Sequence, residues 1–282
     1  MYINTTGLVL RETAYKDSSK ILTVLTGTEG KLTVSARGAL RKNSKLAAPT
    51  QLLVFSEMTL LSSRGRWTLT EAQGVEQFSG LRSDISLLAL GSYFAELLEA
   101  AADEDSPSRE FLPLCLNALY ALSEGVKEPE YVKPAFELRL MAASGFAPLI
   151  ARCAVCGRGD MERGYLDLAG GTIRCGVCGE SPGSGSGNGI GNGNGNGSGG
   201  RGIGGNGSGS GHGINGGAAE LGAAALDAAR YVLSCDPKKL YSFKLPAPAL
   251  RELGVAAEAY VLAHMDRGFR TLDYYWKLGV RG

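Results

Sequence analysis

Two pairs of cysteines with CxxC spacing limit the folds open to this chain more than any other feature. Cys153-Ala-Val-Cys156 and Cys175-Gly-Val-Cys178 are separated by 18 residues, and a glycine follows each pair. Four thiolates can enclose a tetrahedral zinc ion if each pair turns tightly, and glycine leaves room for backbone amides to approach the sulfurs. This spacing is typical of zinc ribbons. The sequence therefore predicts one structural Zn2+ held by Cys153, Cys156, Cys175 and Cys178; a chance pairing of reduced cysteines is the alternative.

The same set of ligands argues against catalysis. Four cysteines close the coordination shell of zinc and leave no position for a reactive water, which disfavours a zinc hydrolase. A redox CxxC motif would need one pair at the start of a helix, whereas this chain has two opposed pairs. Neither of the two histidines, His212 and His264, can be paired with a nucleophile from the sequence, and GxxxxGK[ST] and HExxH motifs are absent. We interpret His264 as structural, Cys115 and Cys235 as buried small hydrophobic residues, and the protein as a non-enzyme.

The hydrophobic pattern of the first segment is that of β-strands. Short apolar runs from about Thr5 to Gly74 indicate five strands, and turn-forming residues at 28–30 and 62–65 separate some of them. Closing so small a sheet into a barrel removes its unprotected edges. We therefore expect a five-stranded, OB-like β-barrel at residues 1–80.

After Ser83 the apolar residues recur at three- and four-residue steps, which is the period of α-helices. Ser106-Pro107 has the residue types of a helix start, with serine as the cap and proline in the first turn. A further helix is predicted around 132–144, and two more near 218–234 and 247–265. Most of the chain beyond the barrel is thus predicted to be helical.

Glycine is concentrated in one segment, because 19 of the 41 glycines fall within residues 181–217. Such a stretch buries too little apolar surface to offset its ordering entropy, so we expect a disordered insert, most simply an expanded repeat without a role. The chain is predicted to be a multidomain α+β protein, in which an OB-like barrel precedes an α-helical domain that carries an inserted four-cysteine zinc ribbon. The predicted divisions are the barrel at 1–80, the first part of the helical domain at 81–150, the ribbon at 151–180, the insert at 181–217 and the second part of the helical domain at 218–282.

The charges are balanced in sum but not in distribution. The 29 basic and 28 acidic side chains give a net charge of +1, yet the segment from Lys31 to Arg66 carries seven cations against one acid, Glu57. OB barrels bind single strands with basic loops that follow phosphates and with aromatic rings that stack on bases. Tyr15 and Trp67 are candidate platforms, with core packing as the alternative, and a solvated turn is the alternative for the basic loop. The predicted nucleic-acid-binding residues are Lys31, Arg37, Arg41, Lys42, Lys45, Arg64 and Arg66.

The sequence carries no sign of export or of membrane insertion. The first ten residues lack the basic and apolar regions of an export signal, and no uninterrupted apolar stretch reaches the roughly 20 residues that span a bilayer. We therefore expect a cytoplasmic protein without membrane association. In that reducing compartment the cysteines are expected to be thiols or metal ligands.

A series of short motifs runs in order along residues 1–180. They are Gly7-Leu-Val-Leu-Arg11, Gly30-Lys-Leu-Thr-Val-Ser-Ala-Arg-Gly-Ala39, Leu81-Arg-Ser-Asp84 followed by Tyr93-Phe-Ala-Glu-Leu-Leu, Phe136-Glu-Leu-Arg-Leu140, Gly145-Phe-Ala-Pro148 and the Cys153/Cys156 pair. Together they resemble the bacterial RecO family of recombination mediators and DNA repair proteins. The chain departs from the family pattern at Leu40, where a basic residue is common, and in the glycine-rich segment that directly follows Cys178.

The resemblance implies an OB domain, a helical domain with a zinc ribbon, and a function without catalysis. That function is to bind single- and double-stranded DNA, to anneal complementary strands, and to help load the RecA recombinase onto DNA coated with single-strand binding protein. The implied partners are RecR and the acidic C-terminal tail of the coating protein, and the implied location is the bacterial cytoplasm, on the nucleoid when DNA is bound. By position the resemblance assigns DNA contacts to Lys31, Arg37, Arg41, Lys42 and Lys45.

An acidic tail would need a basic rim beside an apolar pocket on the helical domain. The candidates are Lys133, Arg139, Arg267 and Arg270, and solvated residues or intrahelical ion pairs are the alternative for these side chains. A second function stays open at this level, namely a non-catalytic zinc-ribbon scaffold whose basic barrel loops bind acidic protein partners. A steep loss of single-strand affinity with added salt would favour the DNA-binding interpretation.

Overall fold

The computed structural model describes residues 1–104, 109–179, 214–215 and 217–279. The first five strands are β1 (Tyr2–Tyr15), β2 (Ser19–Thr26), β3 (Lys31–Ala36), β4 (Phe55–Ser63) and β5 (Arg66–Glu76). They form a closed barrel in the order β1-β2-β3-β5-β4. Neighbouring strands are antiparallel except β3 and β5, which close the barrel through the parallel pairs Val34↔Trp67 and Ser35↔Thr68. The prediction of a five-stranded OB-like barrel is therefore confirmed.

The interior of the barrel follows from side-chain alternation along these strands. On β2 and β3 every second residue points inward, and Leu22, Val24, Leu32 and Val34 are buried there. The alternation breaks before β4, where Leu53 adopts a left-handed φ of 62° and places its side chain among the helices instead. The long connection between β3 and β4, residues 37–54, thus joins the barrel to the next domain.

Four helices follow the barrel. They are α1 (Ser79–Ser83), α2 (Ile85–Ala101), α3 (Phe111–Ser123) and α4 (Pro129–Ala143). Asp84 caps α2 by accepting a hydrogen bond from the Ser86 amide at 2.7 Å. The helix start predicted at Ser106-Pro107 lies outside the described residues, and the described part of that helix begins at Phe111. Helix α4 ends one residue before Ser144, and Gly145 takes the φ of +87° that suits a helix stop.

The cysteine-bearing segment forms a small sheet. Its elements are β6 (Arg163–Asp167), β7 (Ile173–Cys175), the short helix α5 (Gly176–Gly179), β8 (Ile214–Asn215) and β9 (Ala218–Gly222), with the strand order β7-β6-β9-β8. The helix predicted at 218–234 is wrong in its first five residues, because Ala218–Gly222 pairs antiparallel with β6. Of the predicted insert, residues 181–213 and Gly216 lie outside the described residues, and so does His212.

The chain ends in a second helical part. Its helices are α6 (Ala223–Ser234), α7 (Ala247–Met265) and α8 (Arg270–Lys277), with a short 3-10 helix at Pro237–Lys239. One hydrophobic cluster runs through both helical parts and reaches into the ribbon at Leu166 and Ile173 and into the barrel at Leu8 and Leu25. The barrel also has a smaller cluster of its own. Within the described ranges, none of the helices combines the length and the apolarity needed to cross a membrane.

Candidate nucleic-acid interface and metal centre

One end of the barrel carries a basic depression with a volume of about 1030 Å3, which we call the barrel cleft. Its floor is a row of neighbouring outward-facing residues, because Ile21 pairs with Ser35 and Ser35 pairs with Thr68 across three strands. Tight turns with left-handed residues at Lys16, Gly38 and Arg64 form its walls. The cations that line the cleft are Lys16, Arg37, Arg41, Arg64 and Arg66.

Two aromatic rings also line the barrel cleft. Tyr15 is 48% exposed, and the Lys16 ammonium lies 5.3 Å from the centroid of its ring. Trp67 is half-buried, since it packs against the barrel core while it also borders the cleft. Among the described residues that line the cleft there is no acidic side chain. Cations that attract phosphates and rings that can stack on bases are the chemistry of a single-strand binding site.

The structure brings together four of the seven predicted cations. Arg37, Arg41, Arg64 and Arg66 line the barrel cleft, while Lys42 and Lys45 are exposed on the connection 37–54 outside it. The sequence analysis missed Lys16, although its place beside Tyr15 in the turn between two strands was a usable signal. The predicted cations are therefore divided between the barrel cleft and other parts of the surface, and they do not form one uniformly basic loop.

Lys31 lies away from the barrel cleft. Its ammonium donates a hydrogen bond to the Glu99 carbonyl oxygen at 2.8 Å, near the C-terminal end of α2. A cation at this position stabilises the unpaired carbonyls at the end of a helix. The neighbouring Arg11 guanidinium forms an ion pair with the Glu99 carboxylate at 2.8 Å. Lys31 and Arg11 therefore join the barrel to the helical domain.

The four predicted metal ligands converge. The sulfurs of Cys153, Cys156, Cys175 and Cys178 all lie within 4.8 Å of one another. The Sγ atoms of Cys156 and Cys175 are 3.7 Å apart, close to the ~3.8 Å edge of a tetrahedron with metal–sulfur bonds of about 2.3 Å. These residues could hold a metal ion, and a set of four sulfurs suits zinc or an iron–sulfur centre.

Backbone geometry prepares this cluster for a metal. The Cys175 amide donates to the Cys153 sulfur at 3.3 Å. Burial raises the pKa of the Cys153 thiol, but hydrogen bonds from the backbone of Cys156, Cys175 and Val155 outweigh burial and lower this pKa to about 6. Since the thiolate is the form that binds metals, these amides favour metal binding.

An arginine of the helical domain binds the backbone of the ribbon segment. Arg230 on α6 donates hydrogen bonds to the carbonyl oxygens of Ile150, Ala151 and Gly159 at 3.0, 3.1 and 2.9 Å. The strand β9 also continues directly into α6. The metal centre is therefore attached to the helical domain.

A second depression of about 1070 Å3 lies between the barrel, α2 and α8, and we call it the interdomain groove. Arg267 and Arg270, two of the four residues predicted for an acidic tail, line it. Apolar surface is supplied by Ile85 and Tyr274, which are 56% and 47% exposed. Lys277 also lines the groove. The sequence analysis missed it, although its three- and four-residue spacing from Tyr274 and Arg270 on α8 was a usable signal.

The other two predicted residues face the interior of the helical domain. Lys133 is 4% exposed, and its ammonium binds the carboxylates of Glu137 and Glu258, each at 2.7 Å. Arg139 donates to the carbonyl oxygens of Leu233 and Cys235 at 2.9 and 3.1 Å, at the C-terminal end of α6. Both cations are occupied by contacts within the helical domain.

Sequence comparisons place this arrangement among known proteins. The family models described as Recombination protein O N terminal and Recombination protein O C terminal match residues 1–78 and 82–188. The DNA repair protein RecO of Caldicellulosiruptor bescii is 34% identical over 178 residues, which cover 63% of this chain and 72% of that protein. Those of Acetivibrio thermocellus and Symbiobacterium thermophilum are 25% and 28% identical, over 97% and 96% of this chain and 96% and 95% of their own lengths.

Proposed function

The chain belongs to the RecO family of DNA repair proteins, and on that premise we propose that it is a recombination mediator without catalytic activity. In this proposal it binds single- and double-stranded DNA, anneals complementary strands, and helps load RecA onto DNA coated with single-strand binding protein. Its place of action is the bacterial cytoplasm, on the nucleoid when DNA is bound. The observation that carries the proposal is the barrel cleft, with five cations, two aromatic rings and no acid among its described lining residues.

Annealing needs no active site. Two strands repel each other through their phosphates, and a surface that neutralises both raises the rate at which they meet while the bases pair. In the barrel cleft, Arg37, Arg41, Arg64 and Arg66 are the proposed phosphate contacts, joined by Lys16, and Tyr15 and Trp67 are the proposed stacking rings. Lys42 and Lys45 on the connection 37–54 can extend these contacts along a longer strand.

One zinc ion is the proposed cofactor. Cys153, Cys156, Cys175 and Cys178 would hold it, and the close approach of their sulfurs supports this. Zinc with four cysteine ligands stabilises a fold and offers no reactive position. The ribbon is thus proposed to be a structural element.

Two protein partners are proposed from family membership: RecR and the acidic C-terminal tail of single-strand binding protein. For the tail we propose the interdomain groove, because Arg270 and Lys277 border the exposed apolar side chains of Ile85 and Tyr274 there. Arg267 also lines the groove, but its guanidinium forms an ion pair with the Glu96 carboxylate at 3.3 Å, so Arg270 and Lys277 are the proposed tail contacts. Lys133 and Arg139 are left out of this site because their charged groups already bind carboxylates and carbonyls within the helical domain.

The proposal is tested by fluorescence anisotropy of a labelled single-stranded oligonucleotide at several salt concentrations. Five phosphate contacts predict a slope of log K against log salt of about −3.5, at about −0.7 per contact. The variant Arg37→Glu/Arg41→Glu/Arg66→Glu should bind more than about 100-fold more weakly at 50 mM salt. Lys238→Glu/Lys239→Glu/Lys244→Glu is the matched control, since it reverses three exposed charges outside the barrel cleft. Absence of binding by the parent protein at low salt would overturn the proposal and leave the scaffold function.

A further inference from the structure

An ion pair at one end of the barrel holds the connection that carries two of the cleft arginines. The Glu12 carboxylate on β1 accepts a hydrogen bond from the Lys20 ammonium on β2, and the side chain of Lys20 is only 9% exposed. The other carboxylate oxygen of Glu12 accepts from the Leu52 amide at 3.1 Å, and Lys20 donates to the Thr50 carbonyl at 3.5 Å. Both members of the pair thus bind backbone groups of residues 50–52.

Residues 50–52 belong to the connection 37–54, whose first residues line the barrel cleft. Arg37 and Arg41 extend into the cleft from its near end, where the Leu40 amide donates to the Ser18 carbonyl at 3.0 Å. In the middle, the buried Thr50 hydroxyl donates to the Leu46 carbonyl at 2.6 Å, and Leu46 packs against the barrel core. The connection is therefore fixed at both ends. At its far end the Glu12–Lys20 pair acts together with hydrogen bonds from the Arg82 guanidinium to the Leu52 carbonyl at 2.9 Å and from the Val9 amide to the Val54 carbonyl at 3.1 Å.

The far end also carries backbone strain. Leu53 is a buried residue with a φ of 62°, a conformation that non-glycine residues adopt at a cost and only where the surroundings enforce it. Its amide donates to the Val9 carbonyl at 2.9 Å. The hydrogen bond from the Leu52 amide to Glu12 lies directly beside this strained residue and helps to enforce its conformation.

A purely stabilising role would not require charges here. Dehydrating Lys20 is unfavourable, and a hydrophobic pair of similar size would often stabilise a buried position equally well. The charged pair differs from a hydrophobic one because it can bind the polar backbone of a loop at two points. This feature links the pair to the placement of the connection rather than to the barrel core alone.

We propose that Glu12 and Lys20 are positioning residues for DNA binding, which hold Arg37 and Arg41 in the barrel cleft through the connection 37–54. This inference rests on the proposed function of the cleft. It also predicts a change in DNA affinity opposite to the change expected from charge alone. Removing the negative charge of Glu12 makes the protein more positive, so charge alone would tighten DNA binding, whereas loss of positioning weakens it.

The experiment measures single-stranded oligonucleotide binding by anisotropy for Glu12→Ala, Glu12→Gln and the control Glu57→Ala. Glu57 is exposed on β4, lies outside both depressions, and undergoes the same change of charge. Each phosphate contact contributes about 0.7 to the slope of log K against log salt. If this contribution vanishes at about 1 M salt, the loss of one contact lowers the affinity at 50 mM salt about eightfold. Glu12→Ala should therefore bind at least about eightfold more weakly than Glu57→Ala, with a salt slope less steep by about 0.7.

The conservative variant separates positioning from general destabilisation. Glu12→Gln loses the same charge but keeps an oxygen that can accept from the Leu52 amide, so it should bind more tightly than Glu12→Ala. If Glu12→Ala and Glu12→Gln both bind as tightly as Glu57→Ala, the inference is wrong while the proposed function stands. If the parent protein itself fails to bind, the proposed function has failed. If Glu12→Ala does not fold, Glu12→Gln and Lys20→Met are used instead. The inference is wrong if both of these variants bind DNA with the affinity and the salt slope of the parent protein.

Discussion

Replacing Lys133 by methionine should destabilise the protein strongly, and more so at alkaline than at acidic pH. Lys133 is the cation of a buried cluster in which Glu137 is fully buried and Glu258 lies on the facing helix α7. The Tyr93 hydroxyl donates to one Glu137 oxygen at 2.8 Å, and the other oxygen is buried and has no hydrogen-bond partner among the described residues. Methionine keeps the volume of the side chain and removes its charge, which leaves two carboxylates without a cation.

The expected magnitude follows from the cost of an uncompensated buried charge. Removing one member of a buried ion pair costs about 3–5 kcal/mol, which lowers the melting temperature of a chain of this size by about 10 °C. Burial raises the pKa of Glu137 to about 7, although Lys133 acts in the opposite direction. Without Lys133 this pKa must rise further, because the opposing attraction is gone.

The pH dependence has a definite sign. The pKa of Glu137 in the folded protein exceeds the ordinary value of 4.5, so the folded state binds a proton that the unfolded state has released between these values. The contribution of Glu137 to stability is therefore fully present below about pH 4.5 and is lost as the pH rises through about 7. In Lys133→Met the pKa of folded Glu137 is higher still, so the variant goes on losing stability above pH 7, where the parent protein no longer does. The destabilisation should therefore be smaller at pH 5.5 than at pH 8.5.

The assay is thermal and urea unfolding at both pH values, followed by circular dichroism and by tryptophan fluorescence. Trp276 contributes to this fluorescence, and its indole N–H donates to Glu258 at 3.0 Å. The double variant Lys133→Met/Glu137→Gln should recover most of the lost stability, because it buries one charge fewer. Equal destabilisation at pH 5.5 and 8.5, or no rescue by the double variant, would refute the reasoning. Affinity for an acidic peptide should stay unchanged in the folded variants, since Lys133 faces the interior.

Two further predictions concern the metal centre and a helix contact. Elemental analysis should find one zinc per chain, and Cys156→Ser should lower that content. The same variant should lose amide-exchange protection in β6, β7 and β9 while the barrel strands keep theirs, because Cys175 ends β7 of the ribbon sheet and the barrel is a separate sheet. Full metal content in Cys156→Ser would contradict the four-sulfur site. Gly80→Ala should destabilise the protein by at least about 2 kcal/mol, since its Cβ would lie 2.0 Å from the Ser123 carbonyl oxygen. Gly254→Ala on α7, where a Cβ meets open space, is the matched control and should be neutral or stabilising by up to about 1 kcal/mol in urea unfolding.

Local patterns in the sequence were sufficient to predict the barrel and the metal ligands. Period-two alternation predicts strands because each strand buries one face, and two CxxC pairs converge because each pair needs only its own turn. The four cleft arginines were also found from local charge. What local pattern cannot supply is the partner of a charged side chain when that partner is distant in sequence.

Lys31 and Lys133 show this limit. In the sequence Lys31 belongs to a basic segment, but its ammonium binds the carbonyl oxygen of Glu99, which lies 68 positions away. The sequence predicts Lys133 to be a cation on a helix surface, and Glu137, four positions later, could be recognised as its ion-pair partner. Lys133 also binds Glu258, which lies 125 positions away on α7, and this contact could not be predicted from local sequence. The strand β9 was missed for the same reason, since its alanines favour a helix until β6 offers a pairing edge.

The barrel cleft should be studied in the whole chain rather than in an isolated barrel. Leu8, Leu25 and Leu53 are fully buried, yet they belong to the core that the helical domain forms and not to the interior of the barrel. An excised fragment of residues 1–80 would expose these side chains to water and would lose the helix that receives Lys31 and Arg11. Because Leu53 also lies at the far end of the connection 37–54, which carries Arg37 and Arg41, removing the helical domain would loosen the cleft itself. Weak DNA binding by such a fragment would therefore report a disturbed connection, and would say little about the cations of the intact cleft.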